Sequence, residues 1–141
     1  MQLKSLLPAI ASLFLCASGA IAGSHDPIVI DKGEYDIDGQ PTKITVTSYY
    51  HPDSLSLVNS RGGIVRFRVT TYYSPLINGN IRYSEGTWIL SCETYRQKML
   101  HQSDFSADSR LLFDYETTNP PSIVDKNSHL AILACYPFFN N

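Results

Sequence analysis

The side chains with most chemical potential are a pair of arginines, a set of tyrosines, two cysteines and four histidines. Arg66 and Arg68 alternate with Val65, Phe67 and Val69 along residues 64–73, so both guanidinium groups fall on one face of a strand and the apolar residues on the other. Such a pair can hold an anion. Cross-strand acidic partners on a solvated sheet face account for the same residues, and that account is preferred. Tyr49-Tyr50 and Tyr72-Tyr73 are doubled, which places one ring of each pair on each sheet face. Tyr49 and Tyr72 therefore join Arg66 and Arg68 as candidates for a binding surface. Strand propensity explains the same tyrosines equally well.

Other chemistries find little support. His25, His51, His101 and His129 are scattered, without the compact ligand spacing of a metal site, and no metal or cofactor is expected. A G-x-S-x-G elbow and a phosphate-binding glycine loop are both absent from the sequence. The stretch 34–39 begins like a calcium loop, but Glu34 stands at the first ligand position and Thr45 at the twelfth. A solvated turn closed by Asp38-Gly39 fits better. Carboxylate pairs at Asp36/Asp38, Asp114/Glu116 and Glu85/Glu93 are ordinary on exposed strands. The expectation is a non-enzymatic domain binding a protein or another surface ligand. The alternative is a small periplasmic enzyme or ligand carrier that uses the Arg66/Arg68 face.

The N-terminus sets the compartment. Lys4 is followed by an apolar run at residues 6–16 and by Ala20-Ile21-Ala22, the three parts of a secretory signal. Cleavage is expected between Ala22 and Gly23, leaving residues 23–141 as one domain. Cys16 is preceded by Phe14 and Leu15, too bulky for lipidation, so the product is expected to be periplasmic or released rather than lipid-anchored. Loss of Lys4 removes one of 11 basic residues and none of 13 acidic ones, leaving a net charge of −3. That balance argues against nucleic acid as a partner, and no later segment is apolar enough to cross a bilayer. Cys92 and Cys135 then form an even pair in an exported domain, which reads as a disulfide. Two free thiols or half a metal site are the rival readings.

The elements that position these residues are mostly strands. Alternation and β-branching predict strands at 28–30, 43–50, 64–73, 81–95 (bent near Gly86), 96–101 and 110–115. His51-Pro52-Asp53-Ser54 is expected to break the second of these, and residues 55–58 to form a short strand or turn. Residues 74–80 are expected to be a turn and 102–108 a polar loop. Trp88, Leu90 and Cys92 share a face by parity. After Asn119-Pro120-Pro121 the period becomes helical, with Ser122 or Asp125 as cap and Pro137 as stop. The fold class is α+β: an antiparallel sheet of about five to six strands covered by a C-terminal helix, which the bridge tethers to the sheet.

These pieces have a familiar layout. An export signal precedes Asp53-Ser54-Leu55, then Gly63-Ile64-Val65-Arg66-Phe67, Tyr83-Ser84-Glu85-Gly86 and Cys92, and a final helix closing on Cys135. The layout resembles the bacterial surface-adhesin protein E family, and is similar also to the cryptic neisserial protein-like family, over residues 42–135. The resemblance implies a cell-envelope location, an antiparallel sheet with a helix tethered by Cys92–Cys135, and binding of host proteins by some members. It carries over no binding residue.

Overall fold

The structure, a computed structural model, describes residues 26–139. The expected signal at 1–22, with Cys16 and the Ala22–Gly23 cleavage point, lies outside the described residues. Six antiparallel strands follow one another as a meander: β1 (Ile28–Tyr35), β2 (Ile44–Asn59), β3 (Ile64–Ile77), β4 (Ile81–Ser91), β5 (Arg96–Phe105) and β6 (Leu111–Glu116). A two-residue strand, β7 (Ser122–Ile123), pairs with the start of β5, and α1 (His129–Phe139) ends the chain.

Period-2 alternation divides the sheet into two faces. Tyr50, Val65, Phe67, Val69 and Leu90 point to one side and close a core with Ala134 and Cys135 of α1. Trp88, Cys92, Leu130 and Leu133 pack around it. The Cys92–Cys135 disulfide joins the turn after β4 to this helix across 43 residues. Gly86 admits the indole of Trp88: a Cβ there would stand 2.7 Å from its Nε1. Within the core, Tyr50 is 1 % exposed and its hydroxyl has no hydrogen-bond partner. Burial pushes this phenol up to about 12. An unpaired buried hydroxyl opposes folding, so Tyr50→Phe is expected to raise the unfolding free energy by about 1 kcal/mol. Urea titration should register this as a higher midpoint with an unchanged slope.

Past the edge of α1, the same face turns polar. Ser48 and Thr71 are hydrogen-bonded at 3.0 Å. Ser84 donates to Asp104 at 2.6 Å and Tyr73 donates to Ser84 at 3.2 Å. Gln102 donates to Asp104 at 2.8 Å. Burial, ahead of the other influences, raises the pKa of Tyr73.

Several elements differ from the sequence expectation. The segment 52–55 does not end β2. It is a bulge, with His51 opposite Arg68 and Ser56 opposite Arg66, because Pro52 removes a ladder donor while the flanking residues keep their alternation. β3 runs to Ile77, and the turn narrows to residues 78–80, with Asn78 and Gly79 at positive φ, as a tight hairpin requires. β4 stops at Ser91, where the Tyr95 N–H returns to the Ser91 carbonyl at 2.8 Å. Polar residues 102–105 belong to β5, since hydrogen bonding to β4 and β6 on both sides satisfies that backbone. Ser122 lies in β7, and α1 begins later, with Ser128 Oγ accepting the Ala131 N–H at 3.2 Å. Pro137 lies inside α1, in its last turn, where little helix remains to be disrupted.

Helix α1 has no charged residue. It buries two alanines and a cysteine, while Ile132, Tyr136, Phe138 and Phe139 are exposed. Among the described residues no helix is long and apolar enough to cross a membrane.

Candidate functional site

The face of the sheet opposite α1 carries every sequence-derived surface candidate. Register alone places them there: Tyr49 pairs with Thr70, Tyr72 with Thr47 and Tyr83, and Tyr83 with Phe105. The rings form a continuous row over four strands. Tyr49 meets Tyr72 edge-on at 5.7 Å, Tyr72 lies 5.2 Å from Tyr83, and Tyr83 stacks on Phe105 at 4.8 Å. Cross-strand aromatic contacts of this kind stabilise a sheet and keep the rings in fixed orientations. Burial, then the neighbouring Tyr83, Glu85 and Tyr49, raise the pKa of Tyr72, which stays a neutral phenol at physiological pH.

At one end of the row, Tyr49, Tyr72, Pro27, His51 and Thr70 line a mostly apolar cavity of about 310 Å³. His51 Nε2 and Thr70 Oγ1 are 2.6 Å apart. Thr70 is buried although its sequence neighbours on this face, Arg68 and Tyr72, are exposed. Burial is the main influence lowering the pKa of His51. Arg68 acts in the same direction, and Asp53 and Glu85 oppose both. The neutral imidazole is thereby favoured in the folded protein, so stability is full above the unfolded histidine value of about 6.5 and falls as the pH drops through the lower folded value. In His51→Gln that part of the decline is expected to disappear, which parallel urea titrations of the two proteins between pH 5 and 8 will reveal.

Beside this slot lies a second cavity of about 330 Å³, lined by Ser54, Ser56, Arg66, Phe67, Arg68 and Thr87. It opens where the β2 bulge separates the strands. Ser54 Oγ bridges the gap, accepting the Arg68 N–H at 2.8 Å and donating to the His51 carbonyl at 2.6 Å. The acidic partners expected for the arginines are not there. Arg66 faces Ser56 and Ile89, and Arg68 faces His51 and Thr87. Among the described residues the one contact between a basic and an acidic side chain within ion-pair distance is His101 Nε2 with Asp114 Oδ1 at 2.7 Å, well away along β5 and β6.

Neither histidine cluster on this face assembles a nucleophile relay. Ser103 donates to the same Asp114 oxygen that His101 contacts, at 2.7 Å, so hydroxyl and imidazole share an acceptor rather than bonding to each other. His51 does contact the Thr70 hydroxyl, but among the described residues no carboxylate is hydrogen-bonded to its ring. Among the described residues no group of three or more His, Cys, Asp or Glu is arranged to hold a metal ion.

Sequence reasoning found Tyr49, Tyr72, Arg66 and Arg68 but missed His51, Thr70, Ser54 and Pro27. The signal for His51 and Ser54 was Pro52 in an alternating stretch: read as a bulge, it keeps His51 on the face of Tyr49 and brings Ser54 against Arg68, while Thr70 shares the face of Arg66 and Arg68 by alternation. Nothing local marks Pro27. No family model, curated protein or solved structure matches the chain.

Proposed function

We propose that this chain is an exported, non-enzymatic binding domain of the bacterial cell envelope that engages its ligand through the sheet face opposite α1. The observation carrying this reading is a face on which a row of four aromatic rings adjoins two arginines, with no helix over the face and no carboxylate partner for the arginines among the described residues. Rigid aromatic side chains with polar tips and unpaired guanidinium groups are the usual anchors of recognition surfaces. Export is supported by the signal-like N-terminus and by the disulfide, a bond of oxidising compartments. The resemblance to the surface-adhesin protein E family points the same way.

The test is capture from envelope extracts with the protein expressed from the full chain. Tyr49→Ala/Tyr72→Ala is expected to abolish capture, while Ile132→Ser/Tyr136→Ser on α1 leaves it intact. Loss of capture only in the α1 variant would move the binding surface to the helix. Turnover of a small molecule without any captured partner would overturn the reading.

A further inference from the structure

We propose that the two adjoining cavities form one subsite for an acidic saccharide, its carboxylate or sulfate held by Arg66 and Arg68 and the next sugar ring seated against Tyr49 and Tyr72. This rests on the binding face described above and gives it a ligand chemistry. The arginines are two residues apart on one strand face, a spacing of roughly 6.6 Å. That is close enough for two planar forks to converge on a single oxyanion. Their cross-strand neighbours are Ser56, Ile89, His51 and Thr87, and among the described residues no carboxylate lies within ion-pair distance of either guanidinium. Ser54, Ser56 and Thr87 bring hydroxyl groups to the same cavity, suited to the hydroxyls that flank a sugar carboxylate or sulfate.

The apolar slot supplies the other half. Tyr49 and Tyr72 stand at 89° to one another and make a corner with Pro27 beside it, against which the C–H face of a pyranose can pack. His51 lines this slot and pairs with Arg68, which lines the neighbouring cavity. The two compartments therefore share a boundary and accept adjacent units of one chain.

The position of the site also discriminates among anionic partners. It lies on β2 and β3, which are both flanked by other strands. An acidic peptide therefore finds no free strand edge to extend. Glu85 stands opposite Thr70 and borders the slot, and Asp114 and Glu116 lie farther across the same face on β6, so a densely charged polyanion such as nucleic acid is repelled along its length by these and by an overall acidic chain. A short saccharide that places its one anionic group at Arg66 and Arg68 turns an uncharged ring toward Glu85.

Calorimetric titration of the protein expressed from the full chain tests this with four probes: a sulfated heparin tetrasaccharide, an oligogalacturonate tetramer, neutral cellotetraose and inorganic sulfate. One or both acidic tetrasaccharides are expected to bind, and which one does so identifies the anion as sulfate or carboxylate. Arg66→Gln/Arg68→Gln should weaken binding about 100-fold, and Tyr49→Ala or Tyr72→Ala about 10-fold. Arg66→Lys/Arg68→Lys, with charge but no fork, should fall between wild type and the glutamine pair. Unchanged thermal melting of the arginine variants separates lost binding from lost fold. Cellotetraose binding as tightly as the acidic sugars would overturn the anion assignment. Sulfate binding as tightly as the tetrasaccharide would overturn the role of the ring. Capture of a protein through Tyr49 and Tyr72 with no saccharide bound would sink this inference and leave the binding face standing, whereas loss of both would remove the two together.

Discussion

Replacing Cys92 and Cys135 by serine is expected to lower the unfolding free energy by about 3–4 kcal/mol, the chain-entropy value for a loop of this length. For a domain of this size, that corresponds to a fall in Tm of roughly 15 °C. The bridge spans 43 residues, and the side chains that α1 itself buries are small. The fully buried residues of α1 are Ala131, Ala134 and Cys135, side chains that remove little apolar area from water compared with leucine or phenylalanine. Leu130 and Leu133 are only partly buried against the core. The variant should therefore lose helical signal at 222 nm at a lower denaturant concentration than the sheet signal, where the native protein unfolds in one transition. Two free thiols in non-reducing mass spectrometry of the native protein, or a Ser pair within 1 kcal/mol of wild type, would refute this.

Asp104→Ala is expected to cost about 3 kcal/mol, whereas Asp104→Asn should cost about 1 kcal/mol. Asp104 is 6 % exposed and accepts from Ser84 at 2.6 Å and from Gln102 at 2.8 Å on the same oxygen. Alanine strands the buried Ser84 hydroxyl and leaves the half-buried Gln102 amide only its long contact to Ser84 Oγ at 3.5 Å, and stranding a buried donor costs more than the net worth of its bond. Asparagine keeps a carbonyl oxygen where the carboxylate oxygen stood. Equal losses for the two variants in urea titration would show that the hydrogen bonds to this oxygen are not what stabilises the row. Tyr73 reports on the same network: with Asp104 gone, one influence raising its phenol is removed, and its ultraviolet titration should move toward the ordinary tyrosine value.

How far the sequence could be read depended on whether a residue's role was local. The alternation of Val65, Arg66, Phe67, Arg68 and Val69 is a property of one strand, and it assigned both faces of β3 correctly. Asn78-Gly79 signals its hairpin in two residues, although the length of the turn was overestimated. The bridge followed from counting cysteines. What failed was what depends on neighbouring strands. Gln102, Ser103 and Asp104 are polar and read as loop, yet β4 and β6 hold them in β5, where Gln102 and Asp104 join Ser84 in hydrogen bonds on the core side and Ser103 bonds Asp114 on the other face. The polar partners of Arg66 and Arg68 depend on the register of β2 around its bulge, which no single strand encodes. Pro27 reaches the Tyr49–Tyr72 slot only because β1 pairs back along β2, and Thr70 is buried by what surrounds it rather than by its type.

The meander order has a consequence for how the chain folds. Each of β1 to β6 is bonded to its neighbour in sequence, so the sheet can grow by successive hairpin closures, each spanning a short length of chain and paying little loop entropy. The packing of α1 on β2 and β3 reaches back across half the domain and has no such local route. α1 packs over Tyr50, Phe67 and Leu90, so these core side chains are fully covered only once it has docked. Closure of Cys92 on Cys135 requires that docking, and a free-thiol assay during refolding is expected to read it out.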